Sequence, residues 1–195
     1  MTPPENDGPA IAEWLAETGA LLHGHFHLTS GRHSDTFVQC SQLLQYPHYA
    51  ASVGEALAGR FAGFGITAVV GPAMGGIILA HETARALGVR ALYAEKEEGE
   101  MVFRRGFSLN PGEVCLVVED AVTTGGSVKK VMAAIQRAGG RVAGVGAMVD
   151  RSEGQADFGV AFRALVTVKA SAWEPAVCPL CQAGVPLTYP KAALS

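Results

Sequence analysis

Two carboxylates, Glu119 and Asp120, end the apolar run 114–118, and a string of hydroxyls and glycines, Thr123-Thr124-Gly125-Gly126-Ser127, follows across a short spacer. The two halves ask for different partners. Backbone N–H groups of residues 124–127 fall where a helix is expected to begin. Unpaired donors and the helix dipole there favour an anion, and the hydroxyls of Thr123, Thr124 and Ser127 can add hydrogen bonds. The glycines let backbone approach a ligand closely. A bare phosphate would be repelled by the acidic pair. A sugar phosphate satisfies both halves, because carboxylates accept hydrogen bonds from a vicinal diol while the phosphate sits at the glycine end. A ribose 5-phosphate fits this span, and the carboxylates could also stabilise positive charge on its ring carbon. No Gly-Lys-Ser or Gly-Lys-Thr follows the glycines, so this is not a Walker loop, and it lacks the dinucleotide fingerprint.

The elements that must hold this loop are legible in the hydrophobic pattern. Residues 114–118 form a run of strand length, and Val128, Val131, Met132 and Ile135 then fall on one helical face before Gly139-Gly140. An earlier unit repeats the scheme, with a strand over 66–70, a glycine loop, and a helix through Ile77, Ala80, Ala84 and Leu87 closed by Gly88. Residues 91–94 read as a short strand, and 95–112 as a polar loop interrupting the rhythm, a kind usually functional or mobile. Residues 141–149 and 160–168 supply two more strands. Upstream, 11–22 reads as a helix, 26–39 as strands about the Ser30-Gly31-Arg32 turn, and 49–61 as a helix. Strands alternating with helices imply an α/β fold with a mainly parallel central sheet flanked by helices. Ligands in such sheets sit beyond the carboxyl ends of the strands, so the loops at 71–76 and 119–126 face one crevice.

Composition is compatible with this. The 195 residues are 49% hydrophobic, enough for a substantial core in a single domain. Fifteen Lys and Arg against eighteen Asp and Glu leave a net charge of -3, which offers no large cationic field for nucleic acid or anionic lipid. Residues 1–10 lack a basic segment followed by an apolar run, and no stretch reaches membrane-helix length, so a cytoplasmic location is expected. Four cysteines are too few and too uneven for a secreted disulfide framework. Cys115 reads as core. Cys178-Pro179-Leu180-Cys181 has the spacing of half a zinc site or of a redox motif, but a structural zinc site normally needs four ligands, and the pair reads as a plain structural tail.

The whole string of apolar strand, acidic pair, spacer and Thr-Thr-Gly-Gly-Ser resembles the phosphoribosyl pyrophosphate (PRPP) signature of the type I phosphoribosyltransferases. Glu119, Asp120, Ala121, Val122, Thr123, Thr124, Gly125, Gly126 and Ser127 would then bind PRPP, with Asp120 also catalytic. Three further segments resemble the orotate enzymes of that family. Around Thr29-Ser30-Gly31-Arg32, an N-terminal strand-turn-strand matches, and the resemblance puts Thr29 and the backbone near Phe37 and Val38 against the pyrimidine. Val70-Gly71-Pro72-Ala73-Met74-Gly75-Gly76 looks like the pyrophosphate loop, making Pro72, Ala73, Met74 and Gly75 PRPP-binding. Many relatives have a lysine in this loop, where this chain has Met74-Gly75. Asp150-Arg151 alone would read as a surface ion pair; in this position Arg151 matches the arginine set against the orotate carboxylate, which Thr123 also helps to bind.

The charged stretch 95–106 occupies the place of the family's mobile catalytic loop. Lys96 matches a family lysine. The usual Lys-x-His portion is not evident, and Arg104 and Arg105 stand in for its charge. By resemblance this loop closes over PRPP from the neighbouring subunit of a homodimer. The fold implied is the type I one, with a core over about 47–170 and a small hood from about 1–46 and 171–195. The implied reaction joins orotate to PRPP, giving orotidine 5′-phosphate and pyrophosphate in pyrimidine (UMP) biosynthesis. Mg2+ would be bound mostly through substrate oxygens and water, with no protein ligands assigned. Transfer to another base, purine or uracil, and a PRPP-sensing transcriptional regulator remain the alternatives. Arg151 and the Thr-Ser-Gly-Arg segment argue against the first. The net charge and the short N-terminal segment argue against the second.

Overall fold

A computed structural model describes residues 7–28 and 30–190. The chain opens with helix α1 (Gly8–Glu17), the strands β1 (Leu21–His27) and β2 (His33–Val38), and helices α2 (Ser41–Leu44) and α3 (Pro47–Arg60). There follow β3 (Ala68–Pro72), α4 (Gly76–Leu87), β4 (Arg90–Glu97), β5 (Glu100–Val102), β6 (Val114–Val122), α5 (Gly126–Arg137), β7 (Arg141–Asp150) and β8 (Ala161–Thr167). Strand β9 (Ala172–Trp173), a 3-10 turn Pro175–Val177 and the short helix α6 (Pro179–Gln182) complete it.

Six strands form the main sheet in the order β5-β4-β3-β6-β7-β8. All neighbours are parallel except β5, which returns antiparallel along β4. The run that leads to the acidic pair is therefore central, and its residues alternate between two cores as a strand's pleat requires. Leu116 and Val118 face a cluster with Leu15 of α1, Leu57 of α3 and Leu79 of α4. Cys115 and Val117 face the opposite cluster, with Val131 and Ile135 of α5. Helices on both faces explain why the central strands are apolar on every side.

The second sheet is small, in the order β1-β2-β9, with both pairings antiparallel. It joins residues from near the beginning of the chain to residues from near its end. Among the described residues, no helix is long and apolar enough to cross a membrane.

Three elements differ from the sequence expectation. The helix expected over 11–22 stops at Glu17, where the Thr18 hydroxyl donates to Trp14 O at 2.7 Å, and Leu22 lies in β1 instead. The expected loop 95–112 begins as a hairpin. β4 continues to Glu97, pairs Lys96 with Met101, and turns at Glu98 (φ 49°) and Gly99 (φ 88°). Two consecutive residues at positive φ suit the tight turn of a two-residue hairpin. Finally, β6 runs on to Val122, because β7 beside it continues in register to Asp150. Glu119 and Asp120 are thus strand residues, more rigidly held than loop residues would be.

Candidate active site

At the carboxyl end of β6 the strand gives way to α5 through Thr123, Thr124 and Gly125. Gly125 has φ 74°, a left-handed conformation disfavoured for other residues, and a Cβ there would stand 2.7 Å from the Phe158 ring. This turn aims the start of α5 into the crevice. The first N–H of the helix to find a backbone acceptor is that of Lys129, donated to Gly125 O at 2.9 Å, and no side chain caps the end. The amides of Gly126, Ser127 and Val128 are therefore open to an anion. They line a small cavity together with Glu119, Ala121, Val122, Thr123 and Thr124. The sequence-expected phosphate residues are thus gathered around one hollow.

Glu119 lines it as well, with Asp120 next along the strand. Glu119 is only 8% exposed, and Asp120 is half-buried. Asp120 Oδ1 accepts from the Ala121 N–H at 2.7 Å, and Glu119 Oε1 from the Asp120 N–H at 3.3 Å. Burial pushes the Glu119 carboxyl well above the usual carboxylate range, and the adjacent Asp120 pushes it further. Burial likewise raises Asp120, partly offset by its hydrogen bond from Ala121. Two carboxylates confined here do not both ionise easily, so the pair is poised to accept hydrogen bonds or a nearby positive charge.

The loop between β3 and α4 lies directly against the pair. A Cβ on Gly75 would stand 2.9 Å from Cγ, Oδ1 and Oδ2 of Asp120. Ala73 is anchored by its N–H to Ala94 O at 2.8 Å, while Met74 is 83% exposed. The Ala73–Met74 peptide is cis. Pro72 is buried at the strand end, so Ala73, Met74 and Gly75 form the loop surface beside Asp120.

A second cavity of about 380 Å3 shares Thr123 and Thr124 with the first and adds Arg151, Ser152, Glu153 and Gln155. Arg151 follows β7, and its N–H donates to Val122 O at 2.8 Å, which ties the two strand ends together. Its guanidinium is half-buried, and Nε has no hydrogen-bond partner among the described residues. Burial lowers its pKa, with no carboxylate contributing an opposing effect. The ion pair that Asp150-Arg151 suggests in isolation is not how Asp150 is used: its Oδ1 accepts from the Ser152 N–H at 2.7 Å. A buried cation with donors unspent points to an anionic ligand.

Other expected residues are less directly placed. Phe37 and Val38 end β2, paired with Leu22 and Leu21, and Phe37 packs on Phe26 at 5.8 Å between ring centres. Arg32 donates to Ala172 O and lies 3.5 Å from Glu174, so Arg32 ties its end of the hairpin to the C-terminal segment. Thr29 lies outside the described residues. Arg104 and Arg105 pair with Glu97 and Glu95 at 2.5 and 2.6 Å, within the hairpin region. Lys96 is exposed. The hairpin is also held to α5 by Lys130, which donates to Gly99 O, and by Arg137, which donates to Met101 O at 2.8 Å.

Cys40 escaped the sequence reading. Buried just beyond β2, it places Sγ 3.5 Å from the Asp120 carbonyl, linking the small sheet to the acidic strand. A single Cys beyond a strand carries no sequence signal for such a contact.

Comparison with known proteins shows the family. Residues 39–158 match the family described as phosphoribosyl transferase domain. The orotate phosphoribosyltransferase of Pelotomaculum thermopropionicum is 56% identical over 92% of this chain and 95% of its own. That of Caldanaerobacter subterraneus subsp. tengcongensis is 53% identical over 92% and 95%. Among solved structures, the orotate phosphoribosyltransferase from Aeropyrum pernix superposes with a TM-score of 0.66 at 28% identity, over 81% of this chain and 93% of that one. The Mycobacterium tuberculosis orotate phosphoribosyltransferase in complex with PRPP gives 0.67 at 26% identity, over 83% and 96%.

Proposed function

The chain belongs to the phosphoribosyl transferase family, and from that premise we propose that it transfers the phosphoribosyl group of PRPP to orotate, forming orotidine 5′-phosphate and pyrophosphate for pyrimidine biosynthesis. The observation that carries the choice of base is Arg151. Its partly buried guanidinium lies in a cavity that shares Thr123 and Thr124 with the phosphate hollow, and it has the geometry to take a carboxylate in bidentate fashion. Orotate carries that carboxylate; uracil and the purines do not.

In this reading the amides of Gly126 and Ser127 and the hydroxyls of Thr123, Thr124 and Ser127 hold the 5-phosphate. Glu119 and Asp120 accept hydrogen bonds from the ribose hydroxyls and stabilise the positive charge that develops as the anomeric carbon–oxygen bond breaks. Orotate N1 attacks that carbon from the opposite face, the configuration inverts, and the electron pair leaves with pyrophosphate. Backbone of Ala73, Met74 and Gly75 receives the leaving group, with Pro72 fixing the loop. Arg151 and Thr123 orient orotate, with Thr29 and the strand end at Phe37 and Val38 against the pyrimidine.

Mg2+ suits this site because Glu119, Asp120, Thr123 and Thr124 present hard oxygen donors beside the pyrophosphate loop, although most of its ligands would be substrate oxygens and water. When bound, it supplies neutralisation of the leaving group. Lys96, Arg104 and Arg105 add to that charge. The pairs of Arg104 with Glu97 and of Arg105 with Glu95 leave both guanidinium groups largely in solvent, so they can be exchanged for a phosphate. We read the hairpin region 95–106 as completing the site of a neighbouring subunit in a homodimer. The main sheet is the core and the small sheet the hood of one domain. We place the enzyme in the cytoplasm.

The test is pyrophosphate release from PRPP and Mg2+ with orotate, uracil, adenine or hypoxanthine. Release with orotate alone is expected. Release with a purine but not orotate overturns the assignment, and tight PRPP binding with no release for any base favours a PRPP sensor instead.

A further inference from the structure

The fold brings two histidines of the N-terminal hairpin together with two cysteines about 150 residues further along the chain. His25 lies on β1, His33 opens β2, and Cys178 and Cys181 flank the first turn of α6. One ligand atom from each lies within 4.8 Å of every other. Cys178 is wholly buried, His25 and His33 nearly so, and Cys181 sits at the rim. The two partners that Cys178-Pro179-Leu180-Cys181 lacks in sequence are thus supplied by the hairpin.

The spacings are those of a coordination shell. His25 Nε2 is 3.0 Å from His33 Nδ1, 3.5 Å from Cys178 Sγ and 3.7 Å from Cys181 Sγ, and Cys181 Sγ is 3.2 Å from His33 Nδ1. A tetrahedron with zinc–nitrogen and zinc–sulfur bonds of about 2.05 and 2.3 Å has edges of roughly 3.3 Å between nitrogens and roughly 3.6 Å between nitrogen and sulfur. All four measured edges fall within about 0.4 Å of those values.

Hydrogen bonding among the four does not account for the arrangement. His25 Nδ1 is 2.8 Å from the Val185 carbonyl, which can only accept, so Nδ1 carries the proton and Nε2 presents a single lone pair. Three groups converge on that lone pair, and one lone pair cannot serve them all. A cation at the centre takes one lone pair from each ligand. The Val185 carbonyl then has the role usual for the outer partner of a metal-bound histidine, fixing ring orientation and tautomer.

We propose that His25, His33, Cys178 and Cys181 form a structural zinc site that fastens the C-terminal segment to the N-terminal hairpin. On binding, Zn2+ displaces the two thiol protons to solvent, and two thiolates with two neutral imidazoles leave the buried centre without net charge. All four positions are filled by protein, as in a closed structural site rather than a catalytic one. The site clamps the end of the β1–β2 hairpin, where the Leu28 N–H donates to Arg32 O at 2.8 Å. It acts alongside the backbone bonds from His27 N to Thr188 O and from Thr188 N to His25 O, at 2.9 and 2.7 Å.

Metal content of the full chain, purified under reductant without chelator, tests this by mass spectrometry of the elements. About one zinc per chain is expected, lost in Cys178→Ser and Cys181→Ser and kept in Cys115→Ala, whose thiol lies in the main sheet. Should the serine variants fail to fold, the unaltered protein decides. Stripping its zinc should lower the melting temperature by several degrees, and Co2+ should restore it with the visible bands of a tetrahedral thiolate site. Protein that neither contains nor takes up Zn2+ or Co2+ overturns the proposal. So does a Cys178–Cys181 disulfide that persists under reductant, or full zinc retention by the folded double serine variant.

Discussion

Gly75 and Asp120 approach so closely that a Cβ on the glycine would stand 2.9 Å from all three carboxyl-group atoms of the aspartate. The loop after β3 and the end of β6, which are more than 40 residues apart, therefore share one surface. Gly75 has φ -59°, which any residue can adopt, so the requirement for glycine here is space alone. Gly75→Ala should leave the melting temperature within a few degrees of the parent. It should cost at least about tenfold in kcat/KM for PRPP, because the carboxylate or the loop must shift. Steady-state kinetics with PRPP varied checks this, and an unchanged kcat/KM would mean that the contact has no bearing on the reaction.

Arg151→Met separates recognition from stability. Removing a half-buried cation whose Nε is unpartnered should leave the ligand-free protein as stable as the parent or more so. The same change should lower kcat/KM for orotate by at least about 100-fold, as expected when a charged partner is removed from a desolvated pair. PRPP binding, measured calorimetrically, should stay within about threefold.

The acidic pair gives a dependence on pH. Burial, and then Asp120, push Glu119 from 4.5 up to about 9. Because the folded value is the higher one, the native state holds a proton between those limits that the unfolded chain has released. The associated stability is present below about pH 4.5 and is lost as pH rises through about 9. Glu119→Gln cannot ionise. Its melting temperature relative to the parent should therefore climb steadily from pH 5 to pH 9, and a flat difference would show that Glu119 does not carry the proton.

Much of this site is legible in the sequence, and the parts that are not have a common cause. The strand and helix around Glu119 to Ser127 follow from local periodicity and from glycines at turn positions. Arg151 is singled out only by the family resemblance, since Asp150-Arg151 alone reads as a surface ion pair. Sequence does not give the distance from Gly75 to Asp120, the use of Asp150 by the Ser152 amide, or the link from Cys40 to Asp120, because these depend on which strands become neighbours. The hairpin at Glu98 and Gly99 was hidden for a different reason. Its residues are charged on both strands, so the alternation that marks a half-buried strand is missing. The same limit left Cys178 and Cys181 as an incomplete pair, since their partners arrive only when β1, β2 and α6 meet.

The hairpin and Asp120 can be tested together. Lys96→Ala and Asp120→Asn should each be nearly inactive as separate homodimers. If each loop completes the neighbour's site, mixed dimers regain one intact site. Random exchange of equal amounts should then restore about a quarter of the parent activity. No recovery after demonstrated subunit exchange would place Lys96 in its own subunit's site.

The central claim is the transfer itself, and the most direct measurement is of product identity. With PRPP, Mg2+ and orotate, the protein should form orotidine 5′-phosphate and pyrophosphate in equal amounts, as judged by mass spectrometry and phosphorus NMR, and Asp120→Asn should form almost none. Pyrophosphate appearing with ribose 5-phosphate in place of orotidine 5′-phosphate would contradict the account.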